Sequence, residues 1–263
     1  MTLDLNTEQE HIRVDGLEIP FFKEFYGQNV VKASEVKKAG RVLAPVYVIM
    51  ERKANSPKPA WNDNYFDSGD GFGYPAQGAY EGRRFKVVLN SKELRDMNKK
   101  DGVNLINRGL SVPSYEQTEG KEFMEGDVIL GRDLKESDVS EHPVWLEFFR
   151  GNKELLGQVA QRIFKAGFDT YKYTEMMGIY LAGEEAKPHL RAAVAGWLDR
   201  SQLVGWDNLG IVYGRLVGLV PEALNAPGQL VKPYNLEDLN AFDKSLKSLD
   251  SVVNTGLLNP LVQ

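Results

Sequence analysis

The residues best suited to chemistry lie in one stretch, residues 61–80, where aromatic side chains and aspartates alternate with glycines. Aromatic faces stack on sugar rings or bases, and carboxylates accept hydrogen bonds from hydroxyl groups. Loops longer than about 12–15 residues usually have a function or are disordered. The stretch therefore predicts a contact surface for a partner protein or a small polyol-like ligand. The candidate binding residues are Trp61, Asp63, Tyr65, Asp67, Asp70 and Tyr74.

The same stretch fits other kinds of site poorly. Counted from Asp63, a calcium loop would need an oxygen ligand where Tyr65 stands, glycine where Ser68 stands and glutamate where Tyr74 stands. Its glycines miss the dinucleotide-binding motif, because residue 76 is alanine and no predicted strand immediately precedes them. Two interpretations stay open: a divalent ion held by the three aspartates in another geometry, and aromatic side chains that cover their own domain. We assign no cofactor and no metal site.

Other catalytic chemistries have little support in the sequence. The absence of cysteine excludes thiol nucleophiles, iron–sulfur clusters and cysteine-ligated zinc. The three histidines, His11, His142 and His189, form no paired zinc motif, and there is no serine-hydrolase elbow or Walker loop. Pairs among the 37 acidic residues could still serve a carboxylate-based hydrolase acting on a sugar-like substrate. Asp207, beside Trp206, fits a polar turn better. We assign no catalytic residue and leave open whether the protein is an enzyme.

One segment, residues 83–108, is distinctly basic, with eight Lys or Arg against three acidic residues. Four of these cations would project from a predicted helix, where an acidic or phosphate-rich partner could bind. A ribosome- or nucleic-acid-associated factor is therefore the third functional alternative. Phosphate binding depends on clustered Lys and Arg, however, whereas the chain has a net charge of -5 and acidic residues follow at 116–127. We therefore predict that nucleic acid is not the principal partner.

The elements that must position these residues differ between the two halves of the chain. In the first half, residues 41–50 and 84–89 are β-branched and apolar and predict strands, with a third short strand at 127–130. Asn90 and Glu93 form a capping-box pattern for a helix that reaches about Lys100. The stretch between the first two strands, residues 53–82, predicts a long loop rich in aromatic residues and glycine.

The second half predicts mainly helix. Pro143 opens a short apolar turn, and Asn152 caps a helix whose apolar side chains share one face as far as Gly167. Another helix is predicted at 188–198. The apolar residues 176–181 and 208–224 suit either element type, because periodicity does not decide such runs.

The clearest helical pattern lies at residues 236–253. Apolar side chains recur there at spacings of three and four residues, which is the seam of a short coiled coil. This helix could dock on its own domain or mediate self-association, and the sequence leaves both open. The seam residues are Leu239, Phe242, Leu246, Leu249 and Val253.

Together these patterns predict an α+β protein with a β-rich N-terminal part, residues 1–131, and a mainly helical C-terminal part, residues 132–263, which can share one core. No signal peptide is recognisable, and the longest apolar run, residues 42–50, is far shorter than the ~20 residues of a membrane span. We therefore expect a cytoplasmic protein without a membrane segment. The leading functional hypothesis is a non-catalytic intracellular binding or interaction protein that uses residues 61–80.

Overall fold

A computed structural model describes residues 11–14, 17–20, 22–55, 65–79, 81–106, 109–196, 200–206 and 208–221. The chain divides into a unit spanning Met1–Gly228 and a unit spanning Gln229–Gln263, and every described residue belongs to the first. The helix predicted at residues 236–253 therefore lies outside the described residues, as do Trp61, Asp63 and Asp207. No helix in the described part of the chain is long and apolar enough to cross a membrane.

A large mixed sheet dominates the described residues. The first two strands form a separate antiparallel pair, and the other eleven described strands join one sheet. The strands are β1 (His11–Val14), β2 (Leu17–Pro20), β3 (Phe22–Tyr26), β4 (Val42–Leu43), β5 (Phe66–Tyr74), β6 (Arg84–Val88), β7 (Leu105–Ile106), β8 (Gly109–Ser111), β9 (Lys121–Met124), β10 (Ile179–Leu181), β11 (His189–Ala195), β12 (Leu203–Gly205) and β13 (Arg215–Leu219).

The sheet is organised around β5. Its main path runs β10-β12-β11-β5-β13-β3, and β6 pairs with β5 as well. β5 is antiparallel to β11 and β6 and parallel to β13. Every residue of β5 is buried, as expected for a strand with neighbours on both edges and side chains packed on both faces.

The helices are short apart from the last one. They are α1 (Asn29–Lys38), α2 (Val46–Asn55), α3 (Lys92–Asp96), α4 (Glu136–Glu141), α5 (Pro143–Phe148) and α6 (Lys153–Tyr171), with 3-10 helices at Lys99–Asn104 and Glu125–Asp127. The prediction that Asn152 caps a helix is confirmed, because its side chain accepts from the Leu155 N–H at 3.0 Å. α6 continues past Gly167 and ends at Tyr171, followed by Lys172 as a C-cap residue with a left-handed backbone.

The predicted fold class, with a β-rich N-terminal half and a helical C-terminal half, is wrong. Four strands of the sheet, β10 to β13, come from the second half of the chain. Residues 188–198, predicted as a helix, contain the fully buried strand β11, which pairs with β5, β8 and β12. Its run of alanine, leucine and valine suits a buried helix or a buried strand equally, so strand pairing decides the outcome. Strands from both sides of residue 131 thus belong to one sheet.

Three details of the first half also differ from prediction. Within residues 41–50, only Val42–Leu43 is strand, and α2 begins at Val46, directly after Pro45. The prediction of a strand at 127–130 is wrong. The strand that pairs with β6 is β9, which lies just before this segment, and a 3-10 helix follows β9. Ser91 caps α3 in place of Asn90, since the Leu94 N–H donates to the Ser91 Oγ at 3.2 Å. The strand predicted at 84–89 is confirmed as β6.

The loop predicted at 53–82 is wrong at its centre, where β5 runs through the core. The Phe72 ring meets the Phe148 ring edge-on at 5.2 Å and the Phe85 ring at 6.1 Å. The Ser68 hydroxyl donates to the Ala193 carbonyl at 2.7 Å, where the β5–β11 register shifts. The aromatic residues and glycines of β5 therefore pack the interior.

Candidate functional site

The most site-like surface is a cleft where β10 and the end of β12 face the segment after β9. β10 and β12 are parallel, so Leu181 and Gly205 lie side by side and Trp206 leaves the sheet next to them. The cleft has a volume of about 350 Å³, which is at the lower end for small-molecule sites. We call it the aromatic cleft; its lining residues are Arg83, Glu125, Val128, Leu130, Gly131, Tyr180, Leu181 and Trp206.

Two aromatic rings form one side of the aromatic cleft. Trp206 is 51% exposed, and its ring lies 6.0 Å from the Tyr180 ring at an angle of 55°. Trp145, by contrast, is fully buried, and its indole N–H donates to the Met177 carbonyl at 2.9 Å. A half-exposed tryptophan keeps an apolar face in contact with water, and such residues are enriched where proteins bind partners.

The backbone of Trp206 is held from beneath by a buried ion pair. Arg191 donates through Nη1 to the Trp206 carbonyl at 3.0 Å, and its Nη2 lies 3.2 Å from a carboxylate oxygen of Glu185. The Arg191 side chain is only 5% exposed. Charge-assisted hydrogen bonds of this kind are stronger than neutral ones, so the position of Trp206 is fixed within the fold.

Tyr74 joins the two strands that carry the cleft. Its hydroxyl donates to the Gly205 carbonyl at 3.0 Å and accepts from the Ala182 N–H at 3.3 Å. Its ring stacks on the His189 ring at 4.9 Å. Burial raises the pKa of the Tyr74 hydroxyl far above its usual range, so it remains a neutral donor.

Tyr180 is positioned by a polar cluster behind the cleft. Its hydroxyl lies 3.3 Å from Asp133 Oδ1, which also accepts from Gln202 Nε2 at 3.0 Å. Arg200 donates to Asp133 Oδ2 at 2.7 Å. Burial, followed by the Asp133 charge, raises the pKa of the Tyr180 hydroxyl, so the phenol stays protonated.

The opposite wall of the cleft carries charge. Arg83 Nη1 lies 2.9 Å from Glu125 Oε1, and both side chains are half-buried. The Glu125 N–H also donates to the Arg83 carbonyl at 3.0 Å, which ties the start of the 3-10 helix to the residue before β6. The cleft therefore presents aromatic faces on one side and a cation and an anion on the other.

The structure separates the residues that the sequence grouped as one contact surface. Tyr65 is half-buried, and its hydroxyl donates to the Tyr213 carbonyl at 2.8 Å. Asp67 is fully buried and accepts from the Arg215 N–H at 2.9 Å. Tyr74 lies behind the aromatic cleft rather than in it. Among the described candidates, only Tyr65 therefore lies near the surface.

Asp70 also has an internal role. Its Oδ2 accepts from the Val46 N–H at 2.8 Å, which caps the first turn of α2. Its Oδ1 accepts from the Asn90 N–H at 2.7 Å and from Arg150 Nη2 at 3.0 Å. Burial raises the pKa of the Asp70 carboxyl, while Arg150 and the two N–H groups oppose that rise. The carboxylate thus links β5 to a helix, a turn and an arginine.

The described histidines and acids do not converge. His142 Nε2 lies 2.8 Å from the Ile129 carbonyl, and His189 lies in β11 against Tyr74. Burial lowers the pKa of both imidazoles. No group of three or more histidines, aspartates or glutamates that could hold a metal ion occurs in the described part of the chain.

Sequence reasoning missed the aromatic cleft, although one signal pointed to it. Trp206 stands between Gly205 and residue 207 in a polar turn, and an aromatic residue there has no regular element in which to bury itself. No sequence signal distinguishes Tyr180, because it lies within the apolar run 176–181. Its position in the cleft depends on Asp133, which is distant in the sequence.

Comparison with known proteins bears on the fold alone. No protein-family model matches the chain, and no curated protein sequence matches it. A solved structure, described as the accommodation of massive sequence variation in Nanoarchaeota by the C-type lectin fold, is similar to it with a TM-score of 0.56. The two are 17% identical, and the match covers 75% of this chain and 97% of that one. The sheet-rich architecture thus resembles the C-type lectin fold, which further contradicts a helical second half.

Proposed function

We propose that this protein is a non-catalytic binding protein and that the aromatic cleft holds a small polyol-like ligand such as a sugar ring. The observation that carries the proposal is Trp206, which stays 51% exposed while Arg191 and Tyr74 fix the backbone around it. Buried supports beneath an exposed aromatic residue are expected of a preorganised site, since a rigid site loses little entropy on binding.

The chemistry of the cleft suits such a ligand. The axial C–H groups of a sugar ring are apolar and pack on an aromatic face, and the Trp206 and Tyr180 rings offer two such faces. Hydroxyl groups need donors and acceptors, and Arg83 and Glu125 supply both on the opposite wall. A volume of about 350 Å³ admits one or two sugar rings and is small for a protein contact.

The similar solved structure bears on the proposal only through its fold. It was described as a C-type lectin fold that accommodates massive sequence variation. In this chain, Arg191 and Tyr74, which support the cleft, lie inside the sheet, whereas six of the eight lining residues lie outside the strands. The ligand is argued from the cleft residues alone.

A catalytic role for the cleft has weaker support. Glycoside hydrolysis needs two carboxyl groups that face the scissile bond. Of the nearby acids, Glu125 is paired with Arg83, and Asp133 is engaged by Arg200, Gln202 and Tyr180 behind the cleft. The carboxylate-based hydrolase therefore stays an alternative for the same experiment to test.

The test is titration calorimetry with a panel of monosaccharides and oligosaccharides. We expect at least one sugar to bind the parent protein and to bind the Trp206→Ala variant at least about tenfold more weakly, a loss of roughly 1.4 kcal/mol. Trp206→Phe should retain part of the affinity, because it keeps an aromatic face.

The matched control is Tyr213→Ala, since Tyr213 is also 51% exposed but does not line the cleft. This variant should bind sugars as the parent does. Equal binding by the parent and Trp206→Ala, or no binding of any sugar, would contradict the proposal. Release of reducing sugar during the titration would instead support the hydrolase.

A further inference from the structure

A second open groove runs along one flank of α1. It has a volume of about 590 Å³ and lies between α1 and the start of the 3-10 helix at Lys99–Asn104. We call it the basic groove; its lining residues are Val31, Ser34, Glu35, Lys38, Asn98, Lys99 and Lys100. It shares no residue with the aromatic cleft, so inferences about the two sites are independent.

Both walls of the basic groove are fixed by local structure. The α1 wall consists of positions 31, 34, 35 and 38, which share one face of a helix because they are spaced by three and four residues. The other wall begins with a capping box, in which Lys100 N–H donates to Asn98 Oδ1 at 3.0 Å and Asn98 N–H donates to Asp101 Oδ2 at 2.7 Å. The groove is therefore a formed feature of the fold.

The acidic side chains around the groove are already engaged. Lys32 contacts both carboxylate oxygens of Glu35 at 2.9 Å. Hydrogen bonds from Lys37 and Lys92, at 2.9 and 2.8 Å, hold the pKa of Asp96 near 2. The third carboxylate nearby, Asp101, belongs to the capping box.

The three lysines that line the groove have no such partners. Within the described residues, Lys38, Lys99 and Lys100 form no ion pair, whereas the neighbouring Lys32, Lys37 and Lys92 each do. The groove therefore carries positive charge in a chain whose net charge is -5. Clustered charge of one sign raises the rate of association with a partner of opposite sign and suppresses other partners.

The groove also offers apolar surface. Val31 packs on one of the hydrophobic clusters from the outer side of α1. Val103, on the same 3-10 helix but outside the groove lining, is 87% exposed. None of the lining residues is aromatic, and proteins that bind single-stranded nucleic acid depend on aromatic platforms for base stacking.

We infer that the basic groove binds an acidic, linear peptide segment of a partner protein, one that carries carboxylates and at least one aliphatic side chain. The carboxylates pair with the ammonium groups of Lys38, Lys99 and Lys100, and the aliphatic side chain packs against Val31, the apolar lining residue of the groove. Lysine gives point charges on flexible stems, which suit irregularly spaced carboxylates.

The test uses the whole protein and fluorescence anisotropy at physiological salt. The probes are a labelled peptide of repeated Glu-Glu-Leu units, the same peptide with lysine in place of glutamate, and polyuridylate RNA. We expect the acidic peptide to bind and the lysine peptide not to bind. The combined variant Lys38→Glu, Lys99→Glu and Lys100→Glu should weaken binding by about a hundredfold, since each reversed charge changes an attraction into a repulsion.

Two further variants separate the groove from general attraction. The control variant Lys135→Glu, Lys153→Glu and Lys165→Glu makes the same change of net charge at exposed lysines outside the groove and should bind as the parent does. Ser34→Phe fills the groove without changing charge and should also weaken binding, which keeps the test valid if the triple reversal impairs folding.

Four outcomes would overturn the inference. The first is that the parent does not bind the acidic peptide. The second is that the control variant loses as much affinity for the peptide as the groove variant does. The third is that the parent binds RNA more tightly than the peptide and that the groove variant abolishes this RNA binding. The fourth is concentration-dependent sedimentation of the parent that the groove variant abolishes, which would make a second copy of the chain the occupant. Sugar titrations do not affect the result, because the cleft is a different site.

Discussion

Two regions of this molecule share several residue types but have opposite environments. β5 and the aromatic cleft both combine aromatic residues with glycines and acidic residues. Phe72 of β5 is fully buried, whereas Trp206 of the cleft is 51% exposed. The difference lies in pairing: β5 has hydrogen-bonded neighbours on both edges, and Trp206 stands just beyond the end of β12. Composition alone does not distinguish a packed strand from a binding surface.

The glycines of β5 show why the segment is buried. A Cβ atom on Gly71 would lie 2.6 Å from the Arg191 carbonyl oxygen, and one on Gly69 would lie 2.7 Å from Leu43 Cβ. These glycines therefore permit close approach of neighbouring backbone and side chains. In a sequence they look the same as the glycines of a flexible loop.

The largest contrast should come from truncating one aromatic residue in each region. We expect Phe72→Ala to lower the free energy of unfolding by about 3–5 kcal/mol, because it leaves a cavity between the Phe85 and Phe148 rings. Trp206→Ala should change it by less than about 1 kcal/mol. Urea denaturation followed by circular dichroism measures both. Equal losses would mean that Trp206 is a packing residue and would weaken the proposed site.

A smaller contrast concerns the glycines. Gly71→Ala should cost about 1–3 kcal/mol of stability, because the new methyl group meets the Arg191 backbone, which cannot move without disturbing β11. Gly183→Ala is the matched control near the cleft, since nothing lies within 4 Å of its added Cβ. Thermal melts of the two variants measure the difference. A neutral Gly71→Ala would show that β5 packs less tightly than its geometry implies.

The sequence predicts elements well where local signals decide them. The Asn152 cap and the apolar face of α6 follow from side-chain chemistry and helical spacing, and both are present in the structure. The strand at 84–89 is likewise alternating and β-branched. β11 could not be predicted as a strand, because its apolar run fits the spacing of a buried helix as well as that of a buried strand. Its strand conformation depends on pairing with strands more than 70 residues away in the sequence, such as β5.

The candidate site was harder to predict than the fold. Tyr74 was predicted as a binding residue; in the structure its hydroxyl hydrogen-bonds the backbone of Gly205 and Ala182, which no spacing rule anticipates. Asp70 likewise caps α2 from a distance of 24 residues in the sequence. Long-range roles of this kind arise from the topology of the sheet, so aromatic and acidic content indicated an important segment without indicating its role.

The imidazole of His189, which lies between the two regions, should make stability depend on pH. Burial, and then the positive charge of Arg191, lowers its pKa from 6.5 to about 4, with the Lys187 carbonyl opposing. Below about pH 6.5 the unfolded chain therefore binds a proton at His189, whereas the folded chain binds it only near pH 4. The free energy of unfolding should fall as the pH drops from about 6.5 towards 4, by roughly 1–2 kcal/mol between pH 7 and pH 5.

His189→Leu removes this titration and puts an apolar side chain of similar size in place of the imidazole. Its loss of stability between pH 7 and pH 5 should be smaller than the parent's by the same amount. His142 contributes in the same direction, because burial lowers its pKa too, so the measured quantity is the difference between the variant and the parent. Identical slopes in urea denaturation at the two pH values would show that His189 titrates normally.

The smallest effect tests Tyr74, which is part of β5 and supports the aromatic cleft from behind. Tyr74→Phe keeps the ring on His189 and removes only the hydroxyl that bridges Gly205 and Ala182. We expect a loss of about 1 kcal/mol of stability, the usual contribution of a hydrogen bond. Because the bridge holds the strand ends beside Trp206 and Leu181, sugar binding should also weaken by a few-fold, which titration calorimetry measures. Tyr115→Phe, also a buried tyrosine but not a lining residue of the cleft, should leave sugar affinity unchanged. If Tyr74→Phe loses stability without losing affinity for sugar, β5 supports only the core and does not affect ligand binding in the aromatic cleft.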